Sequence, residues 1–397
     1  MTTANDLPRL RIGLTVHHPL DLNAGAAGTT MRLGTALEGL GHEVSIVAFD
    51  SMPLSRRPIS DQFVFPLYVA HDVGRSLRLG DLDVVVASTG DLWSLRKQAI
   101  SRSRAAVITR SHGLEHLGHL ARVAASQQGE LALRRRYFLY HGGLRLHQVA
   151  RSLRIADAVI FLNDHERTWA IDHLGVTPDR AVTGRNGLAD ELVGLPEPVP
   201  PPPGGGIGIA VMGGFSFRKG SATAAAVLTR FLADHHDSHA KWYGAEPEVV
   251  REALRPEVRD RVEVVREYQV PDLPLLLRDL QVLLFPSRFE GFGNVVIEAM
   301  ACGLAPVASD IPGPRDIVTA DAGVLVPPGD TEGFVSSLSR LYADRLTLQA
   351  LRQGAYHRGQ EYSWQSVAGE QVDIYRRVLA EKEHTRTRRS SFIKEGT

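Results

Sequence analysis

Cysteine is almost absent. Cys302 is the only one in 397 residues, which excludes an intrachain disulfide and a cysteine-cluster metal site. Lysine is scarce too, five against forty arginines, a bias that with the many alanines fits a GC-rich genome better than a mechanism. Neither sign of charge is in excess, since Lys+Arg and Asp+Glu both number 45. That balance carries no signature of a nucleic-acid partner. No run approaches 18 uninterrupted apolar residues, so no membrane span is expected. The opening MTTANDLPRLR lacks the apolar centre of a signal peptide, and the expected location is cytoplasmic. The sixteen histidines make no metal argument: His112 and His116 have metal-ligand spacing, but the segment reads as a loop with no placed carboxylate.

What is present is length for two domains and a hydrophobic content of 43%, that of a soluble globular chain. Strand-like apolar runs recur at 10–16, 44–49, 84–87, 106–109 and 158–162. Between the first two, residues 30–40 read as a helix stopped by Gly41. Short β-branched runs without alternation fit strands buried on both faces, and the strand–helix rhythm predicts a parallel, doubly wound sheet. At 195–206, LPEPVPPPPGGG interrupts the rhythm with residues that make neither helix nor central strand. It then restarts, with strands expected at 207–212, 240–243, 262–265, 282–285, 306–308 and 323–326. Helices are expected at 221–233, 273–280, 294–301 and 334–343. A helical run at 365–380 follows Tyr362-Ser363-Trp364.

The richest stretch is 283–313, LLFPSRFEGFGNVVIEAMACGLAPVASDIPG. It reads as strand, Pro-Ser turn, glycine loop, helix, glycine stop and second strand. Gly291 and Gly293 free the backbone to approach a ligand, and Asn294 is suited to cap the helix. A helix N-terminus after a glycine loop suits phosphate. Glu290 and Glu298 flank it with seven residues between them, and carboxylates there make sense as acceptors for sugar hydroxyls. Phosphate and hydroxyl together suggest a nucleotide-sugar. Upstream, MGGFSFRKG (212–220) offers Arg218 and Lys219 on a loop at a strand end. Such cations stabilise charge developing on a leaving phosphate without a metal, and no Asp-x-Asp pair occupies this region.

The block FPSRFEGFGNVVIEAMACGLAPVASD resembles the donor-site signature of the retaining glycosyltransferases of family 4, whose fold is GT-B. The resemblance implies an α/β protein of two Rossmann-like, doubly wound parallel-sheet domains with an interdomain cleft. Residues 1–190 would form the acceptor-side domain, 191–206 a Pro/Gly linker and 207–361 the nucleotide-sugar domain. A last helix at 362–383 would cross back, and 384–397 would be a disordered basic tail. It implies transfer of a hexosyl residue from a UDP- or GDP-sugar to a sugar, glycolipid or small-molecule acceptor, with retention and without cofactor or metal. Glu290, Lys219, Arg218 and His112 are then the catalytic candidates. Glu298, Gly291, Phe292, Gly293, Asn294, Val295, Gly214, Tyr268 and Gly25 are the donor-binding ones. Many members carry arginine where this chain has Gly214.

Other segments keep two readings. Asn23–Thr29, with Gly25 and Gly28, resembles the family's glycine loop or is a tight turn. Asn186-Gly187 matches a crossover motif or is chosen for turn geometry. Tyr268 is placed to stack on the base. Glu115 is a candidate for the acceptor. Residues 131–154 hold six arginines, three aromatics and no acid; they suit an anionic membrane face, an anionic acceptor site or a solvated helix. A nucleotide-sugar 2-epimerase and a non-catalytic partner of the same fold are the rival functions.

Overall fold

The computed structural model describes residues 8–52, 58–200 and 204–395, with side chains at all of these except 58–61 and 388–395. Residues 1–7, 201–203 of the proline stretch and 396–397 of the tail lie outside the described residues, as do the expectations that fall on them. The chain divides into two compact units, one of residues 1–120, 132–187 and 364–397, the other of 121–131 and 188–363.

The first unit is built on six parallel strands, β1 (Arg11–Thr15), β2 (Glu43–Val47), β3 (Val84–Ser88), β4 (Ala106–Arg110), β5 (Ala158–Phe161) and β6 (Ala181–Thr183). Their order is β2-β1-β3-β4-β5-β6. Alternate side chains feed opposite faces, as the pleat requires. On one face Ile12, Leu14, Val84 and Val86 pack with Leu33, Leu37, Trp364, Val372 and Tyr375. On the other Val85, Ala87 and Val107 pack with Phe49, Phe65, Val69 and Val73. The helices Gly25–Gly39 and Trp364–Glu395 thus share one face, and Pro58–Leu79 covers the other.

The second unit has β7 (Gly208–Met212), β8 (His239–Tyr243), β9 (Val262–Val265), β10 (Val282–Phe285), β11 (Ala305–Ser309) and β12 (Val324–Val326). They are parallel in the order β12-β11-β10-β7-β8-β9. Ile209, Val211, Trp242, Leu284 and Val307 meet Leu228, Phe231, Phe334 and Leu338 in its core.

The structure differs from the sequence reading at five places. The strand β6 was not anticipated, because Ala181-Val182-Thr183 holds only two apolar residues. The helix Leu273–Leu276 is one turn, shorter than expected. The last helix runs to Glu395, so the expected disordered tail is helical over 384–395; no proline or glycine occurs between Gly369 and Gly396, and extending a packed helix is far easier than starting one. Within the proline stretch, Pro198 O and Val199 O accept from Gln349 Nε2 (3.0 Å) and Arg352 Nη1 (2.9 Å), which fastens it to the second unit's helix Arg345–Gln360. Gly187 also has a different reason from the expected turn. Its φ is not positive, and a Cβ there would lie 2.6 Å from Trp364 Cγ.

Gly220 holds the loops after β7 and β10 together. Its φ is 63°, and a Cβ would lie 1.9 Å from Pro286 O. Gly220→Ala is expected to lower unfolding free energy by more than about 1 kcal/mol, the cost of the left-handed conformation alone; urea denaturation measures it.

Candidate nucleotide-sugar site

The second sheet reverses its winding between β7 and β10, and ligands of open parallel sheets bind beyond the strand ends at such a switch point. The chain leaves β7 at Gly213 (φ 129°) and runs through Arg218 and Lys219 to Gly220, the N-cap of the helix Ser221–Asp234. It leaves β10 through Pro286 and Ser287 to Glu290. Arg288 N–H donates to Arg218 O at 2.9 Å, so the two loops form one surface.

Glu290 is the hub of that surface. Lys219 Nζ lies 2.8 Å from Oε1 and Arg218 Nη1 2.7 Å from Oε2. Ser287 Oγ donates to Oε1 at 3.1 Å. The carboxylate side chain is 8% exposed, against 15% for Lys219 and 41% for Arg218. Burial opposes its ionisation, but Lys219 and Arg218 outweigh that and hold the carboxyl below its ordinary range. The Lys219 ammonium also stands 5.1 Å from the centre of the Phe285 ring, a favourable cation–π distance. Three residues chosen from sequence are therefore one cluster.

The helix Asn294–Ala301 follows. Its N-cap is Gly293 (φ 103°), not Asn294, which occupies the first helical position. A positive φ that only glycine adopts readily explains the shift. Asn294 and Val295 are half-buried beside the buried Gly291 and Gly293. Phe292 is 6% exposed, and its ring packs on Tyr362 at 5.8 Å, so its side chain serves packing and only its backbone is left for a ligand. Glu298 is half-buried. Its charge, after burial, raises the Tyr268 phenol and pushes the Cys302 thiol up to about 12, leaving that thiol un-nucleophilic. Tyr268 stands edge-on to Tyr243 at 5.8 Å and passes Gly244, where a Cβ would lie 3.6 Å from it. Gly214 faces Gly244 O, 3.3 Å from its would-be Cβ.

In the first unit His112 follows β4. Its Nε2 lies 3.1 Å from Ser88 Oγ. Burial, then Arg110 and His18, push the imidazole down to about 3, so it is neutral at physiological pH. The loop carrying it is anchored by Glu166, which sequence reasoning missed: Ser111 Oγ donates to Oε2 at 3.0 Å and the Leu114 N–H to Oε1 at 2.8 Å. Burial raises the Glu166 carboxyl to about 7. His116 lies on the helix Glu115–Gln127, not in a loop. Glu115 accepts from Thr89 Oγ1 at 2.8 Å and from Arg145 Nη2 at 3.0 Å. Gly25 is the first residue of the helix Gly25–Gly39, and a Cβ there meets nothing within 4 Å. No group of three or more metal-ligating side chains occurs among the described residues, and none of their helices is long and apolar enough to cross a membrane.

The two halves match separate family models, "Glycosyltransferase Family 4" over residues 24–192 and "Glycosyl transferases group 1" over 207–344. Phosphatidyl-myo-inositol mannosyltransferase of Mycolicibacterium smegmatis is 26% identical across 93% of this chain and 94% of its own length. D-inositol 3-phosphate glycosyltransferase of Salinispora tropica is 35% identical over 136 residues, 34% of this chain. The match spans about a quarter of the length of such relatives, 28%, 23% and 26% of three of them. Sucrose-phosphate synthase from Thermosynechococcus elongatus superposes with a TM-score of 0.74 at 21% identity, over 94% of this chain and all (100%) of that one. With both halves matched in order and both sheets wound as described, the chain belongs to the family 4 (group 1) glycosyltransferases of GT-B fold.

Proposed function

We propose that the protein transfers a hexosyl residue from a UDP- or GDP-sugar to a sugar, glycolipid or small-molecule acceptor, with retention and without a metal ion. The observation that carries this reading is the buried Glu290 carboxylate shared by Lys219 and Arg218. A nucleotide diphosphate brings about two negative charges to two cations already held in place. As those cations turn to phosphate, the Glu290 oxygens are released to accept from sugar hydroxyls. When the bond from the sugar to the phosphate breaks, the electron pair stays on a phosphate oxygen between Lys219 and Arg218, where fixed positive charge is most effective. That oxygen takes the acceptor's proton on the same face of the sugar, which accounts for retention. Glu298 would hold the ribose, and Tyr268 would stack on the base. Neutral His112 would contact the sugar.

Either UDP or GDP should raise the melting temperature, since ligand at 100 times its Kd stabilises by about 2.7 kcal/mol. Lys219→Ala should lose about 2–4 kcal/mol of transition-state stabilisation, read as kcat/KM for nucleotide release. Glu290→Ala should chiefly lower kcat, and Glu298→Ala should weaken nucleotide binding. Full activity in the Glu290 and Lys219 variants would refute the assignment. Activity should also survive EDTA; loss restored by manganese or magnesium would show that the diphosphate is held by an ion.

A glycolipid acceptor is favoured by one surface. The helix Arg135–Leu139 and the π-turn Tyr140–Leu144 bury no side chain. Arg134, Arg135 and Arg136 are exposed there, with Phe138 at 47% and Leu139 at 78%. The Tyr140 ring lies 4.4 Å from that of Phe63, which extends the apolar patch to exposed Val64 and Leu67. Cations around exposed apolar side chains fit an anionic lipid surface. Phosphatidylglycerol-containing vesicles should bind the protein, less as salt rises, while pure phosphatidylcholine vesicles should not. Replacing the three arginines with Gln should abolish vesicle binding and leave nucleotide affinity intact; loss of transfer to a soluble acceptor would instead place them in an acceptor site.

A further inference from the structure

The first sheet has a switch point of its own. From β1 the chain passes to β2 on one side, while β3 lies on the other, so the loops after β1 and β3 part at their C-terminal ends, where open sheets take ligands. Two residues that the donor reading does not use stand there, His17 just after β1 and Asp91 just after β3. His17 Nδ1 lies 3.0 Å from Asp91 Oδ1. Thr15 Oγ1 donates to Asp91 Oδ2 at 2.6 Å. The Asp91 side chain is 0% exposed and that of His17 11%.

The arrangement constrains the imidazole closely. A carboxylate only accepts hydrogen bonds, so the proton of a neutral ring sits on Nδ1 and the lone pair on Nε2. The ring is clamped edge-to-face by Phe49 (centroids 5.1 Å apart, 65° between planes) and Phe65 (5.2 Å, 87°). Nε2 has no hydrogen-bond partner among the described residues, and it is not among the buried atoms that lack one. Packing alone gives no reason for this design. Burying a carboxylate is costly unless its partners compensate, and a phenyl ring would fill the same aromatic slot without it. A bare, oriented acceptor at a sheet's ligand edge suits a hydroxyl donor. The pair is also joined to His112: Thr15 Oγ1 accepts from the Ser88 N–H at 3.2 Å, and Ser88 Oγ lies 3.1 Å from His112 Nε2.

We propose that His17 is an acceptor-binding residue, whose Nε2 accepts a hydrogen bond from a hydroxyl of a polyhydroxylated ring, a hexose or a cyclitol. Asp91 is the positioning residue that fixes its tautomer. This rests on the glycosyl-transfer reading, because it supplies that reaction with an acceptor contact. The test uses the full chain with 15N-labelled histidine. Long-range imidazole NMR spectra, with His17 identified by the signals lost in His17→Phe, should show Nδ1 protonated and Nε2 bare. Addition of myo-inositol, glucose or mannose should move the His17 Nε2 signal with at least one of the three. Asp91→Asn should shift the proton toward Nε2. Both variants should bind that polyol roughly tenfold more weakly, the scale of one hydrogen bond. His17→Phe keeps the aromatic packing, and its melting temperature checks that it folds. The UDP and GDP thermal shifts should be unchanged in both variants. A proton on Nε2 in the parent, a signal unmoved by all three polyols, or undiminished polyol affinity in His17→Phe would each overturn the proposal. Failure of the donor reading is seen separately, as loss of the nucleotide shift in the parent with the polyol response intact.

Discussion

The loops at the second sheet's switch point are organised around one buried carboxylate shared by two cations. Glu290 is almost completely covered, and such a charge is tolerable only when its partners are held in good geometry. Lys219 and Arg218 provide that, and the loops must be tight enough to keep them there. Gly220 provides the tightness, since only a residue without a Cβ lets its loop pass against Pro286 O. Gly213 and Gly293, both at positive φ, shape the neighbouring turns. The glycines and the charges are thus a single device, one setting the approach of two loops and the other using it.

On the proposed reading, the same device would give the site a resting state that resembles its loaded one. Lys219 and the more exposed Arg218 already meet at Glu290, so a ligand would not have to gather them, with the entropy loss that gathering carries. In the proposed reaction they would exchange one anionic partner for another while staying near the place where charge develops. That would be preorganisation in the sense relevant to catalysis, where reorganisation at the moment of reaction is what slows it.

Legibility followed local pattern, not sequence distance, since Glu290 lies 71 positions from Lys219. The second unit's cluster could be read because strand end, glycine loop and helix start are contiguous, and because cations beside a strand end have few structural uses. Even there, Gly293 displaced Asn294 as the N-cap, since the sequence shows residue types and not φ. The first unit's polar residues were largely hidden. Asp91 meets His17 across 74 positions and Glu166 meets Ser111 across 55. A lone histidine or glutamate on such a segment carries no local pattern; only the strand order brings the pairs together. The Trp364 ring against Gly187 is a similar case, where a motif that suggested a turn is a matter of volume.

Glu166 makes the His112 loop firmer in mild acid than at neutral pH. Its carboxyl titrates near 7 in the folded chain, well above the value near 4.3 of an unfolded glutamate. The folded state therefore holds an extra proton between those two values, and its stability falls as pH rises through that window. Above it, the group that anchors Ser111 and the Leu114 N–H is a desolvated anion. The hydrogen bonds remain available to that anion, but the protein must bear its burial, so raising the pH from mild acid to neutrality should loosen the segment beside His112, with no further loss from this group in base.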